Sequence, residues 1–386
     1  RHHPWLGTWS SASIGAGHDV NHPGPILFDA LALPVRLFGT HAGVAVGAAT
    51  VNVVAVTLVA VLGWRVAGRA GALTCLLPTA WLAFTMGSEL LFDPWNPHIL
   101  LLPCCALLAA GWATASNVRG GWPWLLAIGS FAVQVHLGYV YIVAGLVAVA
   151  VGWRLWVAHR LVPAGGWRPA ARSLAGRAPL AVVAALWAQP LWDQVAGEGN
   201  LLALARAGGS GDEAIGPTRG LRILGSVWLQ TPWTARGRFV DAVPTTFYES
   251  PGRLAPYSMT SLWAALAVLA MAVAATAAAL RVAAGRADLH AQALLVVVGG
   301  VQLVAALAVV VMPLGALGLS AHQMRWLWPI AAYLFAAVGF TLVRAAIAAR
   351  IAGGGAWSAT APRVAAVAIC LGLGAGNLPT TVVAAG

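Results

Sequence analysis

Apolar runs of membrane-spanning length recur along this chain, and no other feature restricts its fold as much. A helix of about 20 apolar residues crosses the hydrocarbon core of a bilayer. Inside that core every backbone N–H and C=O must find its partner within the protein, which favours helices. Such runs are read at 41–63, 72–88, 98–115, 124–137, 138–152, 179–192, 259–280, 290–312, 327–343 and 364–380. The adjoining pair 124–137 and 138–152 is either two short helices or one broken helix. Composition agrees, since 60% of the 386 residues are hydrophobic and only 9% are charged. Soluble domains carry about 25% charged residues. The expected fold class is therefore all-α, a polytopic transmembrane helical bundle of about ten membrane segments forming a single domain over 1–386.

All 22 basic residues are arginine, and the absence of lysine excludes a P-loop and a lysine Schiff base. A net charge of +11 would suit nucleic acid if it were clustered, but the arginines stand singly between apolar runs. Topology explains them better, and no nucleic-acid partner is expected. Thirteen arginines fall in alternate connections, beginning with Arg65 and Arg69, and the positive-inside rule makes those connections cytoplasmic. Of the other nine, six lie in a long outer loop, 193–258, a length largely exempt from the rule. Ten of the eleven acids and eight of the ten histidines then fall on the outer side. Acid–base chemistry needs those groups, so a plasma-membrane protein with an extracytoplasmic active face is expected. Cys75, Cys104, Cys105 and Cys370 all lie in apolar runs and read as small helix residues.

Four outer stretches stand out. In "GHDVNHPGPILF", Gly17 to Phe28, Asp19, Asn21 and His22 precede two prolines that break the helix. "SELLFDPWNPH" holds Glu89, Asp93 and His98 in a tight turn between two spans, more polar groups than a turn needs. Gln134 and His136 sit at the outer end of a span, where polar groups are either functional or packed against a neighbouring helix. "SAHQMRWLWP" sets His322 and Arg325 before a span, suiting an anionic phosphate or a snorkelling arginine. In the long loop, Leu201, Leu202, Leu204 and Ala205 fit a short amphipathic helix. Trp228, Trp233, Phe247 and Tyr248 suit either sugar stacking or an aromatic belt. No D-x-D, H-E-x-x-H, G-x-S-x-G or dinucleotide-binding motif occurs, and no metal site or cofactor is assigned. A divalent cation held by His18, Asp19 and His22 is the one such option the sequence leaves open.

"NHPGPILFDALALPVRLFG", Asn21 to Gly39, resembles the loop-and-helix entry of the GT-C membrane glycosyltransferases. The nearest branch is that of protein O-mannosyltransferases and aminoarabinose transferases. "LFDPWNPH" is similar to an outer turn of that superfamily which often carries an aspartate. The resemblance implies an outer loop and juxtamembrane helix over 1–40. It also implies a transferase that moves a sugar from a polyprenyl-phosphate donor to a glycan, lipid or protein acceptor. By position His22 matches the family's basic residue beside the donor phosphate, and Asp93 the aspartate of the later turn. The family's main catalytic acid lies well upstream of the proline turn. The chain reads as a slice of a longer protein cut at both ends, so that acid is expected before Arg1. Candidate acids within the sequence are Asp19, Asp93 and Glu89. Candidate donor or substrate contacts are His22, Asn21, His98, Gln134, His136, His322 and Arg325. A transporter or flippase of lipid-linked envelope precursors, and a non-catalytic envelope scaffold, are the alternatives. A transporter would be expected to carry mid-membrane charges and related halves, which the sequence does not display.

Overall fold

A computed structural model describes residues 5–161, 167–207, 213–229, 259–313 and 321–352. It is 84% helical, and among the described residues the only β pairings are the isolated bridges Trp9–Asn21 and Ala214–Pro313. In chain order the helices begin with α1 (Ala12–Ala16), α2 (Ile26–Phe38), α3 (Thr40–Met86), α4 (Asn96–Ile99) and α5 (Leu101–Ala115). Next come α6 (Gly121–Val135), α7 (Tyr139–Leu161), α8 (Trp167–Leu174), α9 (Arg177–Ala196), α10 (Asn200–Ala207) and α11 (Gly216–Leu229). The last described helices are α12 (Leu262–Gly285), α13 (Leu289–Val311) and α14 (Leu327–Ala352). Seven helical stretches are long and apolar enough to cross a membrane, with α4–α5 and α8–α9 each counted as one. The fifteen-residue α6 is apolar but shorter. The expected run 364–380 lies outside the described residues, as do Trp233, Phe247 and Tyr248.

The longest element, α3, is a hairpin of two helices. Ala67 and Gly68 leave helical geometry, with Gly68 at φ 59° and ψ −144°. In a straight helix Gly63 and Gly71 would stand about 12 Å apart at ~1.5 Å rise per residue. Instead a Cβ added to Gly63 would lie 2.5 Å from the Gly71 carbonyl oxygen. The two arms therefore turn back on each other, which accounts for both runs read there, 41–63 and 72–88. Only glycine permits so close an approach of two backbones. The pair 124–137 and 138–152 proves to be two helices, α6 and α7, parted by a break at His136–Gly138.

At the centre stands α5, buried along its whole length and enclosed by α3, α6, α7, α13 and α14. Its small residues allow that density: Leu146 and Val297 pack directly on Gly111, and Trp112 meets Phe340 edge-on at 5.6 Å between centroids. Cys75, Cys104 and Cys105 are free thiols in this core, as their apolar setting implied.

The connections sort into two ends as the arginine pattern requires. At the arginine-rich end, Arg65 donates to the Arg119 carbonyl at 3.4 Å and Arg154 to Ser173 Oγ at 2.6 Å. Arg344 pairs with Asp288 at 2.5 Å, and Arg286 donates to the Ala345 carbonyl at 2.9 Å. At the opposite end the histidine-bearing loops meet one another, with α2 laid across the first arm of α3 through Gly43 and Gly47.

Two outcomes follow from this packing. Gly71→Val drives a side chain into the Gly63 carbonyl, 2.1 Å from its Cβ, and should cost about 3 kcal/mol of stability in detergent unfolding. Gly152→Ala, with nothing within 4 Å of its Cβ, should be tolerated. In a variant with its native cysteines removed, His18→Cys and Arg119→Cys, both exposed, should react with a membrane-impermeant thiol reagent from opposite faces. Labelling of both from one face would overturn the two-ended arrangement.

Candidate functional site

The histidine-bearing end is organised around the break between α6 and α7. A break in a helix leaves backbone amides that need acceptors when water is excluded. His22 supplies one: its Nδ1 accepts the Leu137 N–H at 3.2 Å. His136 supplies the next, its own Nδ1 accepting the Gly138 N–H at 3.2 Å. The two imidazoles stack at 5.2 Å between centroids. An acceptor Nδ1 fixes each ring as the neutral tautomer whose Nε2 carries the proton. Burial pushes the His22 imidazole down to about 4, so it stays neutral well below neutral pH.

The loop that delivers His22 is held by its own ladder. Ser10 N–H donates to Val20 O at 3.0 Å, and His22 N–H to Thr8 O at 2.8 Å. Ser13 Oγ donates to Val20 O and accepts from Val20 N–H, each at 2.9 Å. Pro23 and Pro25 then end the ladder and start α2, while Gly24 lets the loop lie directly on Gln134. Gln134 in turn donates to the Leu186 carbonyl of α9 at 2.7 Å.

The turn Asp93–His98 closes over the same end. Asp93 Oδ1 accepts the Trp95 N–H at 2.9 Å, and its Oδ2 lies 2.6 Å from His98 Nδ1. Burial alone would raise the Asp93 carboxyl, but the hydrogen bonds from His98 and the Trp95 amide, with the imidazole's charge, hold it below the usual carboxylate range. Asn96 spans to the Val135 carbonyl at 2.7 Å and to the Thr8 hydroxyl, tying the turn to α6 and the first loop. The Trp95 ring meets His98 edge-on at 4.5 Å and His322 at 5.4 Å. Behind them Arg325 is fully buried, its guanidinium 5.5 Å from the Trp328 ring centroid and within electrostatic reach of His98 and Tyr139.

The fold thus gathers His22, Asp93, His98, Gln134, His136, His322 and Arg325 from segments far apart in sequence. Asp93 accepts one bond at each oxygen, from the Trp95 amide and from His98, and so orients that imidazole and the turn. Asp19 stands apart from this group. It is exposed, accepts the Trp9 indole N–H at 3.1 Å, and faces a separate cleft with Glu198. The backbone of Asn21 is clasped by Asn200, whose Oδ1 accepts the Asn21 N–H at 2.8 Å and whose Nδ2 donates to the Asn21 carbonyl at 3.0 Å. For Glu89 the turn Ser88–Leu91 is described, but its side chain lies outside the described residues. The Trp228 ring meets the Phe335 edge at 4.7 Å between centroids. Among the described residues no grouping of three or more His, Cys, Asp or Glu suits a metal ion, and His22 is buried away from His18 and Asp19.

Asn200 and Asp193 are residues of this end that the sequence did not single out. Asp193 is buried and accepts from the Glu198 and Asn200 amides at 3.2 and 3.1 Å, shaping the turn into α10. G-E-G-N, Gly197 to Asn200, marks the turn into α10, but its acceptor Asp193 lies back within α9 and carries no such local signal.

Beside the polar group runs an apolar groove of about 430 Å³. Ile26 of α2, Val54 and Leu58 of α3, Ala106 of α5, Phe131 of α6 and Leu186 of α9 line it. Gln134, one helical turn beyond Phe131 and bonded to Leu186, stands where groove and polar group meet. The chain matches no known protein-family model, no curated protein and no solved structure.

The buried neutral His22 sets a pH dependence. Its folded-state value lies below its unfolded one, so the unfolded chain binds the proton first as pH falls. Stability is full above pH ~6.5 and should decline toward pH ~4, by on the order of 3 kcal/mol from this group. Thermal unfolding at stepwise pH should register that decline, and His22→Gln should flatten it.

Proposed function

We propose that this protein is a membrane glycosyltransferase that takes a sugar from a polyprenyl-phosphate donor on the extracytoplasmic face and passes it to an envelope glycan, lipid or protein. One observation carries the reading: an apolar groove between α2 and the membrane helices ends at a buried polar group of histidines and Gln134. That pairing fits an amphiphile with an apolar tail and an anionic head. The resemblance of Asn21–Gly39 to the GT-C entry loop supports the same assignment for His22.

In this mechanism the acceptor hydroxyl oxygen attacks the anomeric carbon, and the bond from that carbon to the phosphate oxygen breaks. The leaving phosphate takes the electron pair, so negative charge grows on the head group. Neutral imidazoles with protonated Nε2, and the Arg325 guanidinium behind them, stabilise that charge where water is scarce. The hydroxyl proton passes to a carboxylate at the polar end, and Asp19 is the candidate facing open space. Because the leaving group is already a phosphate, neither nucleotide nor ATP is required.

Transfer of labelled sugar from a polyprenyl-phosphate donor by the full-length protein in nanodiscs is the test. His22→Ala and Asp19→Asn should each cut transfer at least tenfold, while Trp228→Phe should retain it. Undiminished transfer by His22→Ala would remove the phosphate role assigned to that end.

A further inference from the structure

A second cavity, polar where the groove is apolar, opens at the same end between the first loop and the turn joining α9 to α10. It measures about 420 Å³, a size in the range of small-molecule sites, and its lining includes His18, Asp19, Gln194, Glu198, Asn200 and Arg206. Its frame is built from buried and partly buried hydrogen bonds. Asp193 fixes the turn through the Glu198 and Asn200 amides, and Gly199 adopts φ 73° to complete it. Asn200 clasps the backbone of Asn21, so the two walls are joined by side-chain-to-backbone hydrogen bonds. Gln194 accepts the Leu202 N–H at 3.0 Å through its Oε1, which leaves its amide hydrogens as donors.

The lining mixes two carboxylates with an arginine, two amides and an imidazole. A phosphate or other simple anion would face Asp19 and Glu198 at short range, and the absence of a three-ligand grouping among the described residues argues against a cation. A hydroxyl both donates and accepts, so a ligand bearing many hydroxyls satisfies such a mixture.

We infer that this cavity is the docking site for a neutral, polyhydroxylated glycan, the acceptor of the proposed transfer. This rests on the transferase reading above and deepens it. Through Asn200, which also donates to the His22 carbonyl at 3.4 Å, the cavity abuts the loop that carries His22. An acceptor chain held there would rest against the same loop that carries His22, with Asp19 as a wall of the cavity.

Saturation-transfer NMR on the full-length protein in nanodiscs, with mannose, arabinose, rhamnose and galactose at millimolar concentration and no donor, tests the inference. At least one sugar should receive saturation, and Glu198→Gln with Arg206→Ala should cut that signal threefold or more. Ala203→Leu, which fills the cavity without changing charge, should do the same and guards against a fold defect in the polar variants. No signal with any of the four sugars, signals equal in all variants, or inorganic phosphate displacing the bound sugar would overturn it. Because no donor is present, such a failure leaves the lipid-donor reading intact, whereas sugar binding without transfer would count against the reading alone.

Discussion

The break between α6 and α7 leaves backbone amides partly buried among the loops of this end, and the polar architecture is arranged around satisfying them. His22 and His136 take the Leu137 and Gly138 N–H groups, and Asn96 donates to the carbonyl of Val135, the last residue of α6. The bonds from His22 and Asn96 each recruit a different loop, while that of His136 is made within the break. An unmet buried amide costs about 1–3 kcal/mol, so losing one contact would strain the whole end. The same bonds fix both histidines as neutral donors, which is how a structural requirement yields a surface suited to an anion.

The bundle below explains why that end holds still. Buried on every side, α5 is contacted by α3, α6, α7, α13 and α14. Small residues make this possible, as in membrane helices generally, where close backbone approach replaces a hydrophobic driving force. Arg325 gains from the arrangement: fully buried, it rests against Trp328 and within reach of His98, so its charge is held near the imidazoles.

Much of the helical order was legible because membrane burial leaves a coarse signal. Nine of the ten apolar runs coincide with described helices, and the arginine asymmetry sorted their ends. Proline and polar clusters likewise announced the His22 and Asp93 turns. The sharpness of the Gly63–Gly71 reversal was hidden, since two glycines eight residues apart carry no mark of facing each other. The partners of Asp93 were hidden too: its spacing from His98 was visible, but the bonds its two oxygens accept depend on how the turn folds. The Asn21–Asn200 clasp joins residues 179 apart, and only helix packing brings them together. What sequence supplies is which groups lie at one end; which of them touch is decided by the tertiary fit.

A polar group beside an apolar groove is the central structural claim, and lipid occupancy of that groove tests it most directly. A photoreactive polyprenyl phosphate, cross-linked to the full-length protein in native membranes and mapped by peptide, should label Ile26–Ala30, Thr50–Leu58 and Ala127–Phe131. Excess unlabelled polyprenyl phosphate should abolish those adducts. Adducts confined to α12, or groove adducts indifferent to competition, would contradict it.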